Sequence, residues 1–200
     1  MSNDAVTPLN WFARDLLARA YGWTPVTIIC PPPHALLLGG VDPVSETPFD
    51  VAAHEQRGAA REPTLIVSFG DPVQIEWIRS TRRRWPSDAV EWFAAEIHDH
   101  PTCAAAFRDL ALEAVKAMEL HRRMHRERTC IFVHCHMGIS RSASVAALYL
   151  MRNSDMTLRS ALEFLRWCRP CVYPNFGFLC ELVALEGSVD GKNPERPQKG

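Results

Sequence analysis

The stretch Cys130-Ile131-Phe132-Val133-His134-Cys135-His136-Met137-Gly138-Ile139-Ser140-Arg141-Ser142 decides how the rest of the chain is read. Its first half, Cys130 to His134, is an unbroken apolar run that predicts a buried strand. A helical pattern opens at Arg141, so only a short loop separates strand from helix. Such a loop turns successive backbone N–H groups into one concave nest at a helix N-terminus, where they attract an anion. Gly138 lets the loop turn tightly and approach a ligand closely. Arg141 adds a planar fork suited to two oxygens of a phosphate. Cys135 stands at the start of the nest, and thiols so placed can have pKa values of about 3.5–7.5. A thiolate beneath a bound phosphate is aligned for in-line attack on phosphorus, which requires no metal. Cysteine, five intervening residues and arginine therefore predict cysteine-dependent phosphate chemistry.

Outward from this stretch, strand and helix signals alternate. Val26 to Cys30 and Ala35 to Val41 read as short strands, divided by Pro31, Pro32 and Pro33. Residues 42–63 read as a loop or a weak helix. Leu65 to Phe69 fits a buried strand, Pro72 to Arg84 a helix, and Ala89 to Ile97 a further strand. His98, Asp99, His100 and Pro101 form a loop. Ala104 to about Arg123 is a long helix with Phe107, Leu110, Ala114 and Met118 at helical spacing. Downstream, Arg141 to Arg152, Thr157 to Trp167 and Phe176 to Glu186 read as helices, with Thr157 as an N-cap. This alternation predicts an α/β sandwich, a mixed central sheet flanked by helices. Residues 1–25 read as an N-terminal extension with a short amphipathic stretch. Residues 26–186 are the folded domain, and 187–200 a disordered tail.

The composition narrows the partners. Of 200 residues, 22 are Lys or Arg and 23 are Asp or Glu, a net charge of -1 that gives nucleic-acid binding no support. No apolar run approaches the roughly 18 residues of a membrane span. No export signal leads the chain, so the seven cysteines read as free thiols in a reducing compartment, cytoplasmic or nuclear. No signal bears on oligomeric state.

His134-Cys135, Gly138 and Ser140-Arg141-Ser142 resemble the signature of the dual-specificity branch of the protein tyrosine phosphatases. Met137 to Ser144 is most similar to the slingshot type. Arg169-Pro170 and Pro174-Asn175-Phe176-Gly177-Phe178 resemble the turn before that family's last helix, and Leu36 to Gly40 its first strand. The resemblance implies a dual-specificity phosphatase-like fold and a two-step hydrolysis of phosphotyrosine and phosphoserine or phosphothreonine in proteins, without cofactor. Cys135 would attack, forming a phosphocysteine. His136, Met137, Gly138, Ile139, Ser140 and Arg141 would hold the phosphate. Ser142 would assist departure of the thiolate, its plain structural role being a helix cap, and His134 would brace the loop. Asp99, in a loop before Pro101, would serve as general acid and then base. It lies 36 residues before Cys135, a few more than that family usually has. Asp88 and Glu96 follow as alternatives.

Other readings compete. A phosphoprotein-binding module of the same fold would keep the loop without turnover. Related folds act on phosphoinositides or RNA 5′-phosphates, but those loops often carry extra basic residues, whereas here only His136 is added. Cys168 and Cys171 match a redox pair in spacing, yet they end a predicted helix, where a thiolate is disfavoured. His98, His100, His134 and His136 form two pairs without a closed ligand set, so no metal is expected. The basic runs Arg82 to Arg84 and His121 to Arg128 read as solvated faces, the second at a helix C-terminus.

Overall fold

The computed structural model describes residues 26–30, 34–40, 63–82 and 90–190. The N-terminal extension, most of the 42–63 segment, Arg83, Arg84, Asp88 and residues beyond 190 lie outside the described residues. Five strands form one sheet: β1 (Val26–Cys30), β2 (Ala35–Gly39), β3 (Leu65–Gly70), β4 (Glu91–Glu96) and β5 (Cys130–His134). Their order is β1-β2-β5-β3-β4, with β1 antiparallel to β2 and the other neighbours parallel. The sheet is therefore mixed, as the sequence predicts.

Among the described residues, five α-helices accompany the sheet: α1 (Pro72–Arg82), α2 (Ala104–His125), α3 (Arg141–Asn153), α4 (Leu158–Cys168) and α5 (Phe176–Asp190). Among the described residues no helix is long and apolar enough to cross a membrane. Boundaries move by a few residues from the pattern. β4 is shorter than Ala89 to Ile97, and α5 runs past Glu186 into the segment read as a disordered tail.

Alternation sorts the strand side chains onto two faces. Leu36, Leu38, Leu65, Val67, Ile131 and Val133 join the main core beneath α2 to α5. Leu37, Ile66, Cys130 and Phe132 point to the opposite face, where α1 lies against β3 and β4. Leu37, Leu38, Val67 and Phe132 are wholly buried, each contributing about 1.5–3 kcal/mol. α3 is enclosed by α2, α4 and α5, and every residue from Arg141 to Met151 is buried.

The register places the site. Gly39 pairs with His134, and His134 with Ser68, so β2 and β5 end in one row and β3 runs two residues beyond it. β4 ends in the same direction, because Gly70 pairs with Glu96. The loops after β3, β4 and β5 thus emerge together at the carboxyl edge, where ligands of open α/β sheets bind.

Candidate active site

The loop between β5 and α3 takes its shape from what holds its carbonyls. The Arg169 guanidinium is fully buried. It donates to Gly138 O at 2.9 Å, to Met137 O at 3.0 Å and to Thr27 Oγ1 at 3.0 Å. The Tyr173 N–H donates to Ile139 O at 2.9 Å. With three successive carbonyls drawn outward, the intervening N–H groups turn toward the loop's hollow. Gly138 makes this path feasible: its φ is +68°, and a Cβ there would strike the Gly39 carbonyl. Ser140 occupies the N-cap position of α3 without capping it. Its hydroxyl donates instead to Asp99 Oδ1 at 2.6 Å. The first-turn N–H groups of α3 are thereby left for an anion.

Cys135 lies at the floor of this hollow and is 2% exposed. Its Sγ accepts from the Gly138 N–H at 3.3 Å and from the Ser142 hydroxyl at 3.2 Å. Burial pushes the thiol up. The Arg141 charge, the Ser142 hydroxyl and the Ser142 N–H pull it down and prevail, so the thiol lies below its ordinary pKa. Ser142 thus turns its hydroxyl to sulfur rather than to a helix cap. His134, also buried, lies 2.7 Å from Ser68 Oγ through Nε2. Burial holds its pKa at about 3, so the imidazole is neutral across the physiological range.

Arg141 is held at the edge of the hollow. Its Nη1 donates to Ile97 O at 3.0 Å and to Gln74 Oε1 at 3.3 Å. Its Nε is 3.8 Å from Asp99 Oδ2. Gln74 belongs to a capping box. Asp71 Oδ1 accepts from the Gln74 N–H at 2.9 Å, and Gln74 Oε1 accepts from the Asp71 N–H at 3.1 Å. The start of α1 is therefore tied to Arg141.

Asp99 sits at the rim. Its Oδ1 accepts from Ser140 at 2.6 Å and from Asn175 Nδ2 at 2.7 Å, which leaves Oδ2 toward Arg141. Asn175 is fixed twice more: its N–H donates to Ser140 Oγ at 3.1 Å, and its Oδ1 accepts from the Phe178 N–H at 3.0 Å. Gly177 permits the approach, since a Cβ there would strike the Pro101 carbonyl. Phe107 and Phe178 stack behind it at 4.1 Å.

The residues singled out from sequence, Cys135, Arg141, Asp99, His134, Ser142 and the loop 136–140, thus meet at one place. Glu96 does not join them: it ends β4, exposed, with Arg79 Nη1 at 3.0 Å. His98, His100, His134 and His136 do not assemble into a cluster of metal-ligand spacing among the described residues. His100 instead caps the Pro101–Cys103 turn. Sequence reasoning gave no role to four contributors: Arg169 and Asn175, which it placed only in the turn before the last helix, and Gln74 and Ser68. Asn175 before α5, and Asp71-Pro72 with Gln74 three residues after the aspartate, are local cap signals that could have been read. Nothing local marks the ends of the Arg169 or Ser68 hydrogen bonds.

Comparison with known proteins agrees with this geometry. The family profile "Dual specificity phosphatase, catalytic domain" matches residues 92–188. Human dual specificity protein phosphatase 16 is 38% identical over 74 residues, which are 37% of this chain and 11% of that protein. Drosophila melanogaster protein phosphatase Slingshot is 40% identical over 78 residues, 38% of this chain and 8% of that protein. The chain therefore spans about a tenth of the length of these relatives. The crystal structure of human DUSP28 superposes with a TM-score of 0.60 at 24% identity, over 83% of this chain and 95% of that one, a likeness of fold. Signature, fold and family profile converge on residues 92–188, which match the catalytic domain of the dual-specificity phosphatases, a branch of the cysteine-dependent protein tyrosine phosphatase superfamily.

Proposed function

We propose that residues 26–186 hydrolyse phosphate monoesters on tyrosine and on serine or threonine of proteins, by way of a phosphocysteine. One observation carries the reading: the Cys135 sulfur sits at the focus of two donors and a guanidinium, with a carboxyl braced at the rim. The substrate phosphate binds the N–H groups of His136 to Arg141 and the Arg141 guanidinium, which balance charge on its equatorial oxygens. The Cys135 thiolate attacks phosphorus, the P–O bond to the side chain breaks, and protonated Asp99 gives its proton to the leaving oxygen. A water molecule then attacks the phosphocysteine. Asp99 takes its proton, the S–P bond breaks, and inorganic phosphate leaves. The Ser142 hydroxyl stabilises the departing thiolate. Arg169 and Asn175 position the loop and the acid without touching substrate.

The test is hydrolysis of an aryl phosphate under reducing conditions, with a doubly phosphorylated peptide as second substrate. Cys135→Ser should lower kcat by about 10⁴-fold or more, and Asp99→Ala by about 10²–10⁴-fold. Wild-type protein that binds phosphate without turnover would sink the reading in favour of a binding module. Full activity in Asp99→Ala would move the acid elsewhere.

A further inference from the structure

At the far end of β4 from Asp99, three side chains outside the phosphate site converge. His121 and His125 lie four residues apart on the last turns of α2 and share a face. Glu91 opens β4 opposite them. Their ligand atoms all lie within 4.8 Å of one another. His121 Nδ1 is 3.2 Å from one Glu91 oxygen and His125 Nε2 is 3.1 Å from the other. The second basic run therefore does not present a uniformly solvated face, because His121 is 1% exposed.

The two contacts run to different Glu91 oxygens, and the one from His125 is a hydrogen bond. Two features of His121 point beyond an ion pair to a cation. Its Nδ1 is buried without a hydrogen bond, with the carboxylate beside it but out of line for an N–H donor. A buried polar atom left so is costly. The other nitrogen of that ring is held from behind. His121 Nε2 lies 2.8 Å from Thr64 Oγ1, which donates to Cys130 O at 3.1 Å and accepts from the Cys130 N–H at 3.0 Å. With the hydroxyl proton directed to Cys130 O, Thr64 accepts from Nε2–H, and the Nδ1 lone pair faces the carboxylate. Metal-binding imidazoles are oriented by such an outer hydrogen bond.

We propose that Glu91, His121 and His125 form a binding site for a divalent transition metal of the zinc class, with water completing its shell. Two imidazole nitrogens and one carboxylate suit zinc-type ions rather than magnesium or calcium. The half-exposed Glu91 and the partly exposed His125 leave an entry path. The ion fastens the start of β4 to the end of α2, the two elements that flank the Asp99 loop. It stabilises the scaffold and takes no part in phosphate chemistry.

The test uses metal-free full-length protein carrying Cys135→Ser, which removes the reactive thiolate as a rival ligand. Zn²⁺ binding is followed by calorimetry and Co²⁺ binding by visible absorption, with His125→Ala and Glu91→Gln each added. Circular dichroism of the metal-free variants confirms that they fold. The expected result is one equivalent bound, a tetrahedral Co²⁺ spectrum without thiolate charge-transfer bands, and affinity reduced at least about 10-fold in either variant. Thiolate bands, unchanged affinity in both variants, or no binding by the parent protein would overturn the proposal.

Discussion

Cys135 and the pair Cys168 and Cys171 stand at opposite ends of helices, and burial acts on them in the same sense. Cys135 precedes the N-terminus of α3, whereas Cys168 is the last residue of α4 and Cys171 lies in the turn that follows. Burial raises all three thiols. At Cys135 the Arg141 charge and the Ser142 donors overcome it. At Cys171 burial prevails although the Arg169 charge and a main-chain hydrogen bond pull the other way. At Cys168 burial is joined by the unfavourable influence of Cys30. Both turns hold a buried arginine, and Arg169 donates to two loop carbonyls and to Thr27. A thiolate is favoured where an opposite charge and donors to the sulfur together outweigh burial, as the Arg141 charge and Ser142 do at Cys135. The spacing of Cys168 and Cys171 thus lacks the electrostatics of a redox pair.

The largest test of this contrast separates the two arginines. Arg169→Ala should cost about 3–5 kcal/mol of stability, because it removes a fully buried guanidinium together with its bonds to Gly138 O, Met137 O and Thr27 Oγ1. Urea unfolding reads this directly. Cys171→Ser should cost far less, and equal losses would mean that Arg169 is not what shapes the loop. A second test compares the thiols themselves. At mildly acidic pH, iodoacetamide should modify Cys135 at least about 100-fold faster than Cys171, followed by peptide mass spectrometry. Preferential labelling of Cys171 would break the comparison.

His134 sharpens it from the other side. Burial and the Arg141 charge both oppose its protonation, with only the Cys135 main chain favouring it, and its pKa falls to about 3. The unfolded chain, with an ordinary histidine pKa of about 6.5, binds this proton and the native protein does not. Stability from this residue is therefore complete above about pH 6.5. It is lost as pH falls toward 3, by about 1.4 kcal/mol per pH unit. His134→Gln should flatten the urea midpoint against pH in that window, and an unchanged slope would refute the assignment. The smallest effect is expected from Ser142→Ala. Without that donor the Cys135 thiol pKa should rise, seen as an alkaline shift of the iodoacetamide profile.

Much of the site was legible because it is local. Strand, tight loop and helix follow one another within Cys130 to Ser142, so covalent connectivity fixes Cys135, Gly138, Arg141 and Ser142 relative to one another. The elements were legible for a similar reason. Apolar runs such as Leu65 to Phe69, and the spacing of Phe107, Ala114 and Met118, declare which face is buried before any partner is known. Ends were less so, because capping depends on what lies nearby. Ser140 has the residue type of an N-cap yet gives its hydroxyl to Asp99.

By itself, the sequence determined the strand–loop–helix nest, the cysteine beneath it, and an α/β order of elements. Tertiary structure decided which distant groups complete it. Asn175 reaches Asp99 across 76 positions, and Arg169 reaches Gly138 across 31. It also turned the His121 run inward to Glu91. These partners meet only because parallel strands end at one edge and α5 packs against the Pro101–Cys103 turn. No local pattern records a contact whose geometry is set by the packing of the whole core.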